Sequence, residues 1–256
     1  MIPKVSYTIW FSQRNGSTLL CQLLSSTGIA GKPGEHFHDI YQKEETILSH
    51  FGVSDYTSLQ AQIWENASTP NGVLGLKVNA PMKENDPLIR ELAKIPGGTT
   101  DNPSNLEVWE NAFPNHKHIF LTRRNKVKQA VSWWKAIVTN EWHRKMGEKR
   151  EYDPKEIIDQ YNHDALKHLL LETGIRESKI QTLFDQGRIT PLTIVYEDFI
   201  KNYEQTVNDV INFLGLSDES YSVKSPQYQK LADAISEEWM ERFRVDLQKD
   251  WPNKVW

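Results

Sequence analysis

The first clear apolar run, Tyr7–Phe11, is short and β-prone, and the polar string Ser12-Gln13-Arg14-Asn15-Gly16-Ser17 breaks it. From Thr18 to Leu24 the apolar residues recur at helical spacing, so this stretch predicts strand, loop, helix. Gly28, Gly31, Pro33 and Gly34 end that helix and predict a second irregular loop, which carries Glu35, His36 and His38. Val73–Val78, His118–Thr122 and Leu192–Tyr196 are further candidate strands, each followed by a turn or a helical pattern. Strands that alternate with helices predict an α/β fold with a mostly parallel central sheet flanked by helices. Helical patterns over Val127–Lys145 and Pro154–Phe184, the second with Gly174 as an interruption, predict a helix-rich middle. A last helix is predicted over Tyr228–Lys249, before Trp251-Pro252 stops it. The stretch from Pro96 to Ser104 is the strongest loop signal and is long enough for a mobile flap. No internal repeat interrupts this order.

Composition narrows the picture in three ways. A chain of 256 residues with 38% hydrophobic content can bury one substantial core, which predicts a single domain over residues 1–256. A net charge of −4 excludes a broad electrostatic footprint for nucleic acid, so any anion site must be focal. A single cysteine, Cys21, rules out an intramolecular disulfide and makes the cytoplasm the expected compartment. The apolar run within Met1–Phe11 is too short to span a membrane and lacks a cleavage pattern, and no other segment reaches spanning length. The aromatic residues, nine each of Trp, Tyr and Phe, read first as core.

Chemistry concentrates in two places. A strand that ends in a polar turn and passes into a helix aims backbone N–H groups at one spot, where the helix dipole also favours an anion. Here Gly16 permits close backbone approach, Asn15 adds its amide to the turn, Ser17 and Thr18 offer hydroxyls, and Arg14 offers a forked cation. A plain helix capped by Asn15 or Ser17 explains the same residues. A kinase loop, G-x-x-x-x-G-K-[ST], does not fit, because the first glycine and the Gly-Lys pair are both missing. The second place is Ile119–Arg124, a predicted strand ending in Arg123 and Arg124, with Ser132 eight residues beyond Arg124. With Lys126 and Lys128 these arginines also read as a solvated basic face. Against that, the C-terminal ends of parallel strands are where open sheets bind ligands. The pairs His36/His38 and His116/His118 lack a third ligand at metal-binding spacing, so no metal is expected.

The string SQRNGSTLL, Ser12 to Leu20, resembles the 5′-phosphosulfate loop of sulfotransferases that use 3′-phosphoadenosine-5′-phosphosulfate (PAPS). More narrowly, it is similar to the bacterial family typified by trehalose 2-sulfotransferase. The likeness continues through Thr27–Phe37, Thr69–Val73 with Lys77, Gln129–Ser132 and Glu237–Trp239. It implies a P-loop-like sulfotransferase fold, PAPS as co-substrate with 3′,5′-bisphosphate (PAP) as product, and no metal. It implies Glu35 as general base, Arg14 on the leaving oxygen, residues from Asn15 to Thr18 on the 5′-phosphate, and an arginine with Ser132 on the 3′-phosphate. Arg124 fits that spacing best, with Arg123 beside it. Lys77 is a second candidate for the leaving side, and Arg242 a further nucleotide contact. In animal cytosolic sulfotransferases the base is a histidine two residues beyond a strand lysine; Asn79 stands there in this chain. The implied acceptor is a hydroxyl of a disaccharide, with a hydroxyl or nitrogen of a cationic metabolite such as a guanidinium toxin as the alternative, and the family also implies a homodimer. Trp133, Trp134 and Trp142, expected on one helix near the nucleotide, are candidate acceptor walls. A different class, a PAP-binding protein without catalysis, retains the same loops.

Overall fold

The computed structural model describes residues 2–37, 46–79, 87–98 and 103–252. Along the chain these form β1 (Val5–Phe11), α1 (Ser17–Ser26), α2 (Ile47–Phe51), α3 (Tyr56–Ala67), β2 (Val73–Asn79), α4 (Pro87–Lys94) and α5 (Asn105–Ala112). There follow β3 (His116–Thr122), α6 (Lys126–Thr139), α7 (Pro154–Ile158), α8 (His163–Gly187), β4 (Leu192–Val195), α9 (Tyr196–Phe199), α10 (Tyr203–Leu214) and α11 (Ala234–Gln248). The four strands pair in parallel in the order β2-β1-β3-β4. The α/β fold with a parallel sheet is therefore as expected.

Both faces of the sheet are covered, so its strands alternate between two cores rather than between core and water. Trp10, Leu74, Leu76, Val78 and Phe120 face a core with residues of α3, α4, α5 and the end of α8. Tyr7, Ile9, Phe11, Val73, Ile119, Leu121 and Ile194 face the other, with Leu20, Leu23 and Leu24 of α1 and Val207, Val210 and Ile211 of α10. A third core joins α6, α7, α8 and α11 around Val131, Leu166, Trp239 and Phe243.

Several boundaries differ from the sequence expectation, each for a local reason. β1 begins at Val5 and β3 at His116, because buried polar groups there satisfy one another: His116 Nδ1 lies 2.9 Å from Ser6 Oγ and its Nε2 2.9 Å from Thr8 Oγ1. His118 Nδ1 accepts from Trp10 Nε1 at 3.0 Å, so the His116/His118 pair belongs to the core. The helix expected to Lys145 stops at Thr139, where Asn140 takes a left-handed conformation (φ 52°). Trp142 is therefore not on that helix. The stretch Pro154–Phe184 is two helices, the second capped by the Asn162 side chain, and Gly174 lies inside it without a break. The last helix starts at Ala234 rather than Tyr228, behind an Asp233 cap. Tyr196 leaves β4 to begin α9, and His38 and Thr99–Asn102 of the expected flap lie outside the described residues.

The strand order reverses direction of travel at β1, whose successor β2 lies on one side and β3 on the other. That switch point opens a crevice at the carboxyl ends of β1 and β3, where ligands of such sheets bind. Phe11 pairs with Leu121, and Thr122 with Val195, so Ser12, Arg123 and Tyr196 emerge on one edge.

Candidate active site

The turn after β1 is held from behind. Gln129 Nε2 of α6 donates to Ser12 Oγ (2.9 Å) and to Gln13 O (2.7 Å), and Arg123 Nη1 donates to Arg14 O at 3.0 Å. Asn15 is buried and donates to Leu121 O at 2.6 Å, while Arg176 Nη1 of α8 donates to Gln13 Oε1 at 2.6 Å. These bonds maintain Arg14 at φ 66°, a left-handed conformation that costs a side-chain-bearing residue about 1–2 kcal/mol. Gly16 has φ 86°, and a Cβ there would sit 2.7 Å from the Tyr196 ring, so only glycine fits.

With Asn15 turned to β3, the capping position of α1 falls to Gly16, and no side chain caps the first turn. The capped-helix explanation of this loop does not hold. An uncapped first turn at the positive end of a ten-residue helix suits an anion. Ser17 is buried in that turn, and Thr18 faces the charged groups beside it.

Those groups come from four parts of the chain. Arg14 Nε donates to Ser132 Oγ (3.1 Å) and its Nη1 to Trp142 O (2.6 Å). Burial, then Arg123, pushes the Arg14 guanidinium down to about 10, so it stays charged at neutral pH. Lys77 is buried on β2; its Nζ donates to Thr18 Oγ1 at 3.0 Å and lies 2.6 Å from Glu35 Oε1. Glu35 is brought there by a close approach of loop to sheet. A Cβ on Gly31 would sit 2.6 Å from Gly75 N, and Lys77 N donates to Gly34 O at 3.0 Å. The structure thus assembles Arg14, Gly16, Ser17, Thr18, Glu35, Lys77 and Ser132, while Asn15 supports the turn from beneath.

The two arginines after β3 part company. Arg123 is buried, lies over the Tyr196 ring at 4.6 Å and pairs with Glu197 at 3.5 Å. Burial lowers its pKa, against Tyr196 and Glu197. Arg124 is 60% exposed and pairs with Asp198, itself 56% exposed. Its backbone N–H and that of Asn125 both donate to Glu197, at 2.9 and 3.2 Å. Burial favours protonating Glu197, but those two bonds and Arg123 outweigh it and hold the carboxyl below its usual range. Ser132 meets Arg14 rather than Arg124.

Sequence reasoning did not single out His143. It stands at the exposed rim with Nε2 3.4 Å from Thr18 Oγ1 and its ring 5.6 Å from that of Tyr228. Partial burial of the ring, then Arg14 and Lys77, push it down to about 4, with Glu35 opposing. Nothing local marks this residue, since it follows the unforeseen helix end at Asn140. Tyr196, Glu197 and Glu177 also went unmarked; Glu177 accepts from Ser12 Oγ (3.1 Å), Thr122 Oγ1 (2.9 Å) and Lys126. Arg242 lies over the Tyr161 ring at 4.0 Å, in a surface groove of about 450 Å³ shared with His163, Asp246 and Lys249. That groove shares no residue with the β1–α1 cradle. Among the described residues no three His, Cys, Asp or Glu side chains are placed to hold a metal, and no helix is long and apolar enough to cross a membrane.

Two proteins named trehalose 2-sulfotransferase align with nearly the whole chain. That of Mycolicibacterium smegmatis is 28% identical over 96% of this chain and 96% of its own length. That of Mycobacterium tuberculosis is 27% identical over 95% and 96%. A solved sulfotransferase from Alicyclobacillus acidocaldarius covers 97% of this chain and 96% of its own at 14% identity, with a TM-score of 0.48, too loose for comparing residues. Residues 6–246 match the Stf0 sulphotransferase family, a span that contains the whole cradle and nearly all of β1 and α11; the chain belongs to the Stf0 sulphotransferase family and is a sulfotransferase.

Proposed function

We propose that this sulfotransferase moves the sulfuryl group of PAPS to a hydroxyl of a small sugar, with Glu35 as general base. The observation that carries the reading is the convergence of an uncapped α1 terminus, Arg14 and the Lys77–Glu35 pair around Thr18. The first turn of α1 from Asn15 to Thr18 binds the 5′-phosphate, and Arg14 stabilises negative charge on the bridging oxygen. Arg124 exchanges Asp198 for the 3′-phosphate. An exposed ion pair of that kind contributes little, so the exchange is easy, and Ser132 of α6 shares the phosphate. Arg123 is committed to the loop itself.

In the reaction the acceptor oxygen bonds to sulfur, the bond from sulfur to the bridging phosphate oxygen breaks, and the acceptor proton goes to Glu35. Lys77 fixes that carboxylate beside the first turn of α1. The transferred group carries less negative charge than a phosphoryl, so the site has no need of a divalent metal. The names of the two mycobacterial relatives support a disaccharide acceptor. The same reading takes residues 1–256 as one unit, places the enzyme in the cytoplasm and assembles it as a homodimer. The buried Cys21 thiol, pushed up to about 12 by burial, has no part in it.

Calorimetric titration with PAP, adenosine 5′-phosphosulfate and ATP, without magnesium, tests the donor. Preferential binding of PAP supports both phosphate contacts, and absence of PAP binding removes the donor. Turnover of PAPS with trehalose and related disaccharides then tests the acceptor. Tight PAP binding with no turnover over such a panel would mark a binding protein, and activity that falls steeply with salt would point to a cationic acceptor.

A further inference from the structure

We propose that His143 is a catalytic residue that contacts the sulfuryl group of the donor, a role that rests on the donor reading above. The segment that carries it is fastened over the cradle at both ends. On one side Arg14 donates to Trp142 O at 2.6 Å and lies over the Trp142 ring at 6.0 Å. On the other, Gln229 N donates to Arg144 O and Met146 N to Gln227 O, each at 2.8 Å, around a bridge between Lys145 and Tyr228. The Arg144–Glu141 pair closes the base of the turn. The imidazole between these ties has its Nε2 aimed at Thr18 and its ring against Tyr228.

The hydrogen-bond roles follow from Thr18. Lys77 can only donate, so Thr18 Oγ1 accepts from it and, with the ring in its Nδ1–H tautomer, has its own proton to give His143 Nε2. At 3.4 Å that bond is long, and the neutral ring accepts it weakly. An anion seated on the first turn of α1 draws the Thr18 proton to itself. The imidazole then presents Nε2–H to the same anion by changing tautomer, without a change of charge. Which part of the donor lies there is set by Glu35. The base must reach the acceptor oxygen that attacks sulfur, and Lys77 joins Glu35 to Thr18. Thr18 closes the phosphate-binding turn on the side toward Glu35, so its hydroxyl and His143 meet the sulfuryl oxygens while the N–H groups of the turn hold the 5′-phosphate. His143 takes no proton from the reaction; it hydrogen-bonds the group in flight.

PAP lacks the sulfuryl group, which makes the test selective. We expect His143→Ala to weaken PAPS binding about tenfold or more, the scale of one hydrogen bond to a charged group, with PAP affinity within about twofold of the parent. His143→Gln, whose amide nitrogen reaches the place of Nε2, should restore most of the loss. Equal weakening of PAPS and PAP, or no weakening of either, would overturn the role. A parent enzyme that binds neither nucleotide would remove the donor reading first, and this role with it.

Discussion

The ends of β1 and β3 lie side by side, yet they meet the solvent differently. At β1, Ser12, Gln13, Asn15 and the Arg14 carbonyl are engaged by residues of α6, β3 and α8, which leaves the first-turn amides of α1 facing outward. At β3 two adjacent arginines divide the work: Arg123 turns in to hold that loop, and Arg124 turns out to a surface carboxylate. One end is fixed by bonds that cannot be exchanged without unfolding something. The other presents a charge whose partner can be replaced. The proposed anion site then has a rigid half that sets position and an exchangeable half that sets affinity.

The largest effect should come from the chemistry that the rigid half serves. Glu35→Gln should lower turnover by about 10²-fold or more with PAP affinity nearly unchanged, read by steady-state kinetics and calorimetry. Unchanged turnover would remove Glu35 as the base. The division between the arginines is sharpened by changing each alone. Arg123→Ala should lower unfolding stability by about 3 kcal/mol, the scale of breaking a buried pair, as measured by denaturant titration. Arg124→Ala should leave the denaturation midpoint in place and weaken PAP about tenfold while sparing adenosine 5′-phosphosulfate. Matching outcomes for the two variants would erase the comparison.

Acid should act on the core beneath both strand ends. Burial pushes His118 of β3 down to about 4, so between pH 6.5 and 4 the unfolded chain binds the proton that the folded chain refuses. Stability is full above that window and is lost as pH falls through it, by about 2 kcal/mol or more at pH 4.5. A thermal midpoint unchanged from pH 7 to pH 4.5 would contradict a neutral buried imidazole. The smallest effect belongs to the exposed pair: Asp198→Asn releases Arg124 and should tighten PAP by about twofold at low salt.

The strands, the parallel sheet and the cradle after β1 were legible because apolar periodicity and glycine placement act over a few residues. Ser12–Thr18 could be read as an anion loop from its own composition. What fixes that loop was not legible, because Gln129, Glu177, Arg176 and Tyr196 lie more than a hundred residues away and nothing in their own segments says that they return to it. The polar starts of β1 and β3 escaped because Ser6, Thr8 and His116 satisfy one another only after pairing. His143 escaped because Asn140 ends α6 early by adopting a conformation that few residues take. The spacing of Arg124 to Ser132 was visible, but not that Ser132 would meet Arg14 first.

The contact between Gly16 and the ring of Tyr196 also bears on biosynthesis. The turn proposed to receive the donor emerges from the ribosome early, while the ring it rests on, and Glu197 beneath Arg123, follow some 180 residues later. At ordinary elongation rates that gap lasts roughly 10–40 s. For that interval the nascent chain holds the cradle's sequence without its shape, so nucleotide cannot assist the early stages of folding. On the proposed function, donor binding would report that synthesis has passed β4.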